Sequence, residues 1–237
     1  MSAARSTPAH RSPGPGRTSL GAVLLALDTA TPAVTVAVAD GEIVLAERTT
    51  VDARRHGELL APAIEAVLRE AGVGRADLDR VAVGVGPGPF TGLRVGLVTA
   101  RMLGAVLGVP VVGVCTLDVL ALMAVEDGVT GPFRVVTDAL RKEVHWAAYE
   151  TGDAPAGLRR IDGPHVERPG SATWQGTAVG AGAATYRDDF PGAREPLLPS
   201  AAATCRWVAA GLPLLDPDPL YLRRPDAVEP GARKSVG

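Results

Sequence analysis

The chain has 237 residues, of which 46% are hydrophobic and 21% charged, and its formal net charge is −2. That composition is typical of a globular protein with a sizeable core, and it excludes a chain that is disordered throughout. The near-neutral charge also argues against a basic nucleic-acid-binding domain and against a membrane partner.

The N-terminal residues 1–19 are rich in proline, glycine and serine, and they are predicted to form a disordered tail. Arginines in that tail precede the apolar run 20–27, but Asp28 ends the run before any small-residue cleavage site, which argues against a signal peptide. No apolar stretch is long and free of charge enough to predict a membrane span. Cys115 and Cys205 stand far apart in apolar surroundings and are expected to be buried thiols of a reducing compartment. We therefore expect a cytoplasmic protein.

Strands and helices are predicted to alternate through the first half of the chain. Short aliphatic runs predict strands, and apolar residues at intervals of three and four predict helices. An Asp-Gly pair at 40–41 predicts a tight hairpin between the second and third strands. The alternation predicts an α/β fold with a largely parallel sheet and an antiparallel edge. In order, the predicted elements are strands Val23–Leu27, Val34–Ala39 and Ile43–Arg48, helix His56–Ala71, strand Val81–Val85, helix Thr91–Gly108 capped by Thr91, strand Val109–Val114 and helix Leu117–Glu126.

The second half of the chain contains an echo of the first. A strand ending in Asp28 is followed by a turn and a new strand at Val34, and a strand ending in Asp138 is followed in the same way by a strand at Val144. Such a repeat, placed after a β-β-β-α-β-α order, predicts a duplicated fold. Two α/β units that face each other across a cleft are typical of the actin-like superfold, whose units are also called ribonuclease H-like.

The two predicted units differ in size. Residues 20–115 contain a complete set of elements and form the N-terminal unit, whereas residues 116–237 form a reduced C-terminal unit with an extended tail. The segment 151–199 is rich in Gly, Pro and Ala, and only short strands such as Thr177–Gly180 are predicted within it. A later helix is predicted over Ala201–Ala210.

Asp28 and Asp138 are predicted to flank the cleft, at the place where members of the superfold with kinase activity bind Mg-nucleotide. The turns after them, Thr29-Ala-Thr-Pro and Ala139-Leu-Arg-Lys, contain no glycine that would let backbone amides approach phosphates. We therefore expect Asp28, Thr29 and Asp138 to form a vestigial nucleotide cleft, and we expect no cofactor. The alternative is a small-molecule kinase of the same superfold. A nucleotide-binding titration of the isolated protein would distinguish a kinase from a protein without a nucleotide site.

Other kinds of catalytic site find little support in the sequence. The loop 86–90 lacks the Gly-Lys-Ser/Thr of a P-loop and the last glycine of a dinucleotide motif, so a structural turn is expected. His56 and Glu58 do not share a helix face, and His145 has no second ligand at a useful spacing, so no metal site is expected. Because no nucleophile elbow or Cys/His pair is present, no catalytic residue is predicted. A homodimeric metal-dependent peptidase is the third hypothesis.

The helix predicted over Thr91–Gly108 has a small residue at every fourth position. Its two interior glycines cost about 2 kcal/mol relative to alanine, and close approach of another backbone is expected to offset that cost. Its other residues are nearly all apolar, so we expect one side to be covered by the sheet and the other by a partner subunit. The alternative is that the helix from His56 fills the space unaided. The small residues that share one side are Gly92, Gly96, Ala100, Gly104 and Gly108.

Five motifs resemble the TsaB (YeaZ) family. The similarity is dense over residues 23–150, thin over 151–215 and present again over 220–227. The motifs are Leu25-Ala-Leu-Asp-Thr-Ala-Thr, His56-Gly-Glu-Leu-Leu-Ala-Pro, Val83-Gly-Val-Gly-Pro-Gly-Pro-Phe-Thr-Gly-Leu-Arg-Val-Gly-Leu, Pro110-Val-Val-Gly-Val-Cys-Thr-Leu-Asp and Tyr221-Leu-Arg-Arg-Pro-Asp-Ala.

The resemblance implies an actin-like duplicated fold and a place in the bacterial machinery that makes N6-threonylcarbamoyladenosine in tRNA. It implies a heterodimer with the catalytic paralogue TsaD, joint work with the ATPase TsaE, and contact with tRNA through the complex. The chain itself would be a non-catalytic scaffold. Whether it forms a homodimer when isolated stays open.

The resemblance also places the partner interface on the helices at 56–70 and 91–107. TsaD-type enzymes carry two metal-binding histidines one helical turn apart, whereas here His56 is followed one turn later by Leu60. Val85, Pro89 and Lys142 stand where the family often has Arg, Ser and Gly. The expected interface residues are His56, Leu59, Leu60, Ala63, Thr91, Gly92, Leu93, Arg94, Gly96, Leu97, Ala100 and Gly104.

Overall fold

Two five-stranded sheets organise the protein, whose computed structural model describes residues 21–153 and 155–222. Strands β1 to β5 form the first sheet, strands β6 to β10 form the second, and five α-helices connect or cover them. The strands are β1 (Val23–Asp28), β2 (Ala33–Asp40), β3 (Ile43–Val51), β4 (Arg80–Gly84), β5 (Val111–Val114), β6 (Pro132–Asp138), β7 (Val144–Thr151), β8 (Leu158–Glu167), β9 (Thr177–Val179) and β10 (Gly192–Arg194). The helices are α1 (His56–Ala71), α2 (Phe90–Leu107), α3 (Thr116–Glu126), α4 (Ala181–Thr185) and α5 (Ala201–Ala209).

Both sheets have the same strand order. The first runs β3-β2-β1-β4-β5, and the second, read from the other edge, runs β8-β7-β6-β9-β10. In each unit the first three strands pair antiparallel. The fourth strand pairs parallel with the first, and the fifth pairs parallel with the fourth. Asp28 ends the first strand of one unit and Asp138 that of the other. The predicted duplicated actin-like (ribonuclease H-like) α/β fold is therefore confirmed.

The central strands of the first sheet are buried on both faces because helices cover each of them, whereas the edge strand β3 is mostly exposed. Leu25 and Leu27 of β1 belong to the core beneath α1 and α2. Their neighbours Leu24 and Ala26 point to the opposite face and pack against α5. This alternation follows from the two-residue period of a strand, and the coverage of both faces explains why every residue of β1 and β2 is buried.

Helix α5 returns from the end of the chain to cover the first sheet. It packs on β1 and β2 through small side chains, which allow the helix to lie close to the strands. Ser200 caps it by accepting a hydrogen bond from the amide of Ala203, and Glu47 of β3 accepts one from the amide of Ala202. The expected boundary between residues 115 and 116 separates the two sheets along the chain, but α5 lies in space with the first sheet, and the division into units stays a prediction. The expected tail at 1–19 lies outside the described residues.

The second unit has a full set of strands but short ones at one edge. Strands β9 and β10 have 3 residues each and α4 has 5, whereas α2 has 18. The strand predicted at Thr177–Gly180 and the helix predicted at Ala201–Ala210 are both present. Strand β8 was not predicted, because a Gly163-Pro164 pair interrupts its sequence and resembles a turn. Pairing with β7 along its length, with two register shifts, forms this edge strand.

Helix α2 is long and apolar enough, by length and composition, to cross a membrane, contrary to the expectation from sequence. In the folded protein 33% of its residues are buried. Its two arginines have partners on the segment that follows α5, since Arg94 hydrogen-bonds to Tyr221 and Arg101 forms an ion pair with Asp218. The small residues on the other side of α2 pack on β1 and β5, as those of a core helix of a globular protein do.

Candidate functional site

The small residues of α2 face the protein's own sheet. A Cβ on Gly96 would lie 2.6 Å from Oγ1 of Thr29, and one on Gly104 would overlap the side chain of Val111. Glycine at these positions lets the helix backbone lie directly on the end of β1 and on β5. Thr29 fixes the contact, because its Oγ1 donates to the carbonyl of Gly92 and accepts from the amide of Gly96 at 3.0 Å.

The small-residue stripe therefore packs against the chain's own sheet, and the partner interface expected at these residues stays a prediction. Residues four apart on a helix share one side, but their spacing does not say which side meets the sheet. Here the first sheet packs directly against the small-residue stripe. Two of the predicted interface residues, Thr91 and Arg94, are exposed, and two, Leu59 and Ala63, are half-buried. The buried ones are His56, Leu60, Gly92, Leu93, Gly96, Leu97, Ala100 and Gly104.

The opposite side of α2 carries three exposed apolar side chains, which we call the outer stripe. Val98, Met102 and Val106 are exposed to 54%, 62% and 80%. They follow one another at intervals of four residues and so lie along one line of the helix. Half-buried Leu59 and Ala63 lie on the neighbouring helix α1, which packs against α2. A line of exposed apolar side chains such as the outer stripe is typical of an interaction site.

The start of α2 differs from the predicted one. The helix begins at Phe90, and Pro89 occupies the capping position without a side-chain cap. Thr91 is exposed in the first turn instead of capping the helix. The preceding loop is tightly packed, since a Cβ on Gly88 would overlap the backbone of Ala30. This packing agrees with the expected structural turn.

A cleft of about 860 Å³ separates the start of α2 from the turn between β6 and β7. Thr29 and Asp138, two of the predicted cleft residues, line it. Oδ1 of Asp138 accepts a hydrogen bond from the amide of Leu140, which holds the turn. That turn contains three consecutive left-handed residues, Leu140, Arg141 and Lys142, with φ of 60°, 55° and 62°. Residues other than glycine rarely adopt this backbone conformation, so the turn is strained. The turn places Leu140 and Arg141 on the cleft wall.

Asp28, the third predicted cleft residue, does not line the cleft. Its carboxylate is buried, with Oδ2 accepting from Oγ1 of Thr116 at 2.8 Å and Oδ1 accepting from the amide of Ala30 at 2.6 Å. Burial raises its pKa from 3.8 to about 6, and the two hydrogen bonds oppose that rise. A Cβ on Gly84 would overlap the carboxylate, so β4 seals it on one side. The carboxylate of Asp28 therefore lies outside the cleft lining, and its part in a vestigial nucleotide cleft stays a prediction.

His56 is bound within the protein. Its Nε2 donates a hydrogen bond of 2.8 Å to the carbonyl of Thr31, and the residue one turn later, Leu60, is buried in the core. Among the described residues, no three His, Cys, Asp or Glu side chains stand together as metal ligands. These contacts give His56 a structural role at the start of α1.

An aromatic cluster at the start of α2 was not predicted. The guanidinium carbon of Arg94 lies 3.4 Å from the ring centre of Phe90, and the rings of Phe90 and Tyr221 are stacked with centres 5.4 Å apart. Nε of Arg94 also donates to the hydroxyl of Tyr221 at 2.9 Å. Tyr221 comes 127 residues after Arg94, so only the motif at 221–227 could have drawn attention to it.

His145 on β7 lines the cleft from the other unit. It is only 7% exposed, and its Nδ1 has no hydrogen-bond partner within the described part of the chain. Across the β6–β7 ladder it pairs with Thr137, whose buried Oγ1 also has none there. Burial lowers the pKa of His145 to about 4, so its imidazole is neutral at pH 7.

Comparison with known proteins gives a consistent picture. The family model described as TsaD, tRNA N6-adenosine threonylcarbamoyltransferase, matches residues 44–162 and so spans α1 and α2. An uncharacterized protein of Mycobacterium tuberculosis is 44% identical over 210 residues, which are 86% of this chain and 93% of that protein. TsaB of Escherichia coli, a tRNA threonylcarbamoyladenosine biosynthesis protein, is 34% identical over 127 residues, or 54% of each chain. YeaZ of Pseudomonas aeruginosa superposes with a TM-score of 0.73 and 28% identity, covering 85% of this chain and 100% of that one.

Proposed function

The chain belongs to the TsaB (YeaZ) family of tRNA threonylcarbamoyladenosine biosynthesis proteins, and we propose that it is a non-catalytic subunit that supports a TsaD-type partner. The observation that carries this proposal is the outer stripe of α2. The partner covers Val98, Met102 and Val106, which the chain's own fold leaves exposed.

The outer stripe has the energetic character of an interface. Burial of a Val or Met side chain contributes roughly 1.5–3 kcal/mol, so three such residues on one line supply a substantial part of a stable association. Arg101 lies beside Met102 and gives the surface a polar border with its partner Asp218. An apolar centre surrounded by a polar or charged rim is the usual arrangement of a protein–protein interface.

The similarity to the transferase family supports a paralogue as the partner. Because the matched residues 44–162 include α1 and α2, a TsaD-type protein is expected to carry an equivalent pair of helices. Two similar helix pairs can pack around a pseudo-two-fold axis, so that each covers the other's apolar side. The same geometry allows two copies of this chain to associate when no paralogue is present, and we propose such a homodimer for the isolated protein.

The placement of the polar residues supports a non-catalytic role. Asp28 is sealed beneath the cleft, and His56 is hydrogen-bonded to the chain's own backbone, so neither is free to act on a substrate. In this proposal the threonylcarbamoyl transfer takes place on the paralogue. TsaE and tRNA join through the complex, and the assembly works in the cytoplasm.

The experiment is co-purification of the full chain with a TsaD-type partner, TsaE and tRNA. Met102→Glu is expected to weaken the pairing at least about tenfold, because a carboxylate would be buried without a partner. Ile161→Glu is the matched control: Ile161 is an exposed apolar residue on β8, far along the chain from α2, and the same change there is expected to leave the complex intact.

Two results would contradict the proposal. One is a Met102→Glu variant that binds the TsaD-type partner with unchanged affinity. The other is threonylcarbamoyl transfer to tRNA by the isolated chain. Light scattering of the isolated protein tests the homodimer separately, since Met102→Glu is expected to yield a monomer where the unmodified chain is dimeric.

A further inference from the structure

An extended segment follows α5 and lies along the outside of α2. This extended segment, residues 215–222, is hydrogen-bonded through its backbone to two points of the first unit. Asp218 forms an ion pair with Arg101, and the hydroxyl of Tyr221 accepts a hydrogen bond of 2.9 Å from Nε of Arg94. Because Arg94 and Arg101 are seven residues apart on the helix, the extended segment follows α2 over two turns.

The extended segment borders the outer stripe. Val98, the first residue of that stripe, lies four positions after Arg94 and three before Arg101, so the three share one side of α2. Phe90 lies one turn before Arg94 and is 52% exposed. Tyr221 stacks on the ring of Phe90 and is 41% exposed. A partner that covers the outer stripe would therefore also meet this aromatic pair.

The guanidinium of Arg94 is held in one orientation. Its carbon lies 3.4 Å from the ring centre of Phe90, and its Nε donates to Tyr221. Within the described part of the chain, its two terminal nitrogens, Nη1 and Nη2, take part in no hydrogen bond or ion pair. A planar guanidinium that is already fixed loses little further freedom when it binds a carboxylate through two parallel hydrogen bonds.

The charge beside the outer stripe is positive. Helix α2 contains two arginines and no acidic residue. Among the described residues Arg101 has the ion-pair partner Asp218, whereas Arg94 has none. An unbalanced positive charge at the border of an apolar surface favours a partner that brings a negative charge to it. Arginine and tyrosine are also the residue types that often contribute most of the affinity of an interface.

We propose that the extended segment forms part of the surface that binds the TsaD-type partner, and that an acidic side chain of the partner binds Nη1 and Nη2 of Arg94. The inference rests on the proposed function, and it extends the interface from α2 to residues 215–222. Arg94 then determines specificity, because a protein with an apolar or basic residue opposite it would leave the guanidinium without a partner or repel it.

The first test measures the affinity of the full chain for the TsaD-type partner by calorimetry. Arg94→Glu is expected to weaken binding at least about tenfold, because two carboxylates would face each other. Arg187→Glu is the matched control: Arg187 is an exposed arginine that follows α4 in the second unit, and the same change there is expected to leave the affinity unchanged. Thermal unfolding of each variant verifies that it is folded.

Salt dependence separates an ion pair from a structural role of Arg94. Raising the salt concentration from about 0.05 to about 0.5 M screens exposed charges and is expected to weaken binding by the unmodified chain. Arg94→Gln is expected to bind more weakly at low salt and to lose affinity less steeply as salt is added. An equal salt dependence of the two proteins overturns the proposal.

Cross-linking identifies the partner's residue. A carbodiimide joins an amine to a carboxylate, and the chain contains only two lysines, Lys142 and Lys234, so the background is low. In a saturated complex of the Arg94→Lys variant, position 94 is expected to be joined to an Asp or Glu of the TsaD-type partner, which mass spectrometry would locate. A cross-link between two copies of this chain instead, or none from position 94, overturns the assignment.

Met102→Glu distinguishes this proposal from the proposed function. If Met102→Glu weakens the complex and Arg94→Glu does not, the outer stripe binds the partner but the assignment of Arg94 is overturned. If neither variant weakens the complex, both the proposed function and the present inference are overturned. Weakening by both variants, with an unchanged Arg187→Glu control, is the expected result.

Discussion

The carboxylate of Asp28 accepts a hydrogen bond from the hydroxyl of Thr116, joining the last residue of β1 to the first residue of α3 across 88 positions of sequence. The bond ties the first sheet to the helix that leads into the second unit. The residue that the superfold pattern suggests as a cleft ligand is therefore an internal brace.

Asp28 is expected to make stability depend on pH. Burial raises the pKa of Asp28 to about 6 in the folded protein, against 3.8 for an exposed aspartate such as that of the unfolded chain. The folded state therefore binds the proton more tightly. The stabilisation from the proton is complete below about pH 4 and is lost as the pH rises through 6, an effect of about 3 kcal/mol. Asp28→Asn keeps the shape without the charge, so its free energy of unfolding should lack this loss between pH 4 and 7. Denaturant unfolding of both proteins across that range measures the difference, and parallel pH curves would contradict the prediction.

Gly96→Ala is expected to destabilise the protein by about 2–3 kcal/mol, because the new Cβ would lie 2.6 Å from Oγ1 of Thr29. Gly57→Ala in α1 is the control. Nothing lies within 4 Å of a Cβ there, and alanine favours a helix, so its stability should be unchanged or higher by up to about 1 kcal/mol. Chemical denaturation compares the two. If Gly96→Ala is as stable as the unmodified chain, the close packing of α2 on β1 is refuted.

Tyr221→Ala is expected to release the extended segment that follows α5. Tyr221 stacks on Phe90 and accepts from Arg94, and next to it the amide of Leu220 donates to the carbonyl of Val85 at 2.8 Å. Without the ring, the Leu220 amide should exchange with solvent at least about tenfold faster. Tyr221→Phe keeps the stack and loses only the hydroxyl, so it should change the exchange much less. Equal exchange rates in the two variants would show that the stack does not hold the segment.

The two cysteines are expected to resist thiol reagents in the folded protein. Cys115 and Cys205 are buried, and burial raises the pKa of each thiol to about 12. At pH 8 both are therefore protonated and shielded. A thiol-specific label should react with neither residue until denaturant unfolds the chain, when both react. Rapid labelling of the native protein, followed by mass spectrometry, would contradict this.

Local patterns predicted much of the fold. The helix expected over His56–Ala71 has those bounds in the structure, because apolar spacing and a following Gly72 in the left-handed conformation mark its length and end. The repeated strand-Asp-turn pattern at Asp28 and Asp138 indicated the duplication, since each Asp ends the first strand of its unit. Strand β8 was not predicted because its own sequence has no clear strand pattern, and its pairing with β7 stabilises it.

The candidate site was harder to predict, because it depends on which side of α2 meets the sheet. Gly96 and Val98 are both compatible with a buried or an exposed side when only the sequence is read. Packing against Thr29 decides the matter, and that contact spans 67 residues. The cluster of Arg94 with Tyr221 and the unpartnered His145 depend on equally distant neighbours, which spacing within one helix or strand cannot reveal.

The return of α5 to the first sheet has a consequence for how the protein is made. The ribosome completes β1 to β5 long before it adds residues 201–209. The face of the first sheet that α5 covers in the folded protein is therefore exposed while β6 to β10 are synthesised. Contacts that bridge such a long stretch form late and slow the folding of a chain. The nascent N-terminal half is thus the form of this protein that most needs protection from aggregation.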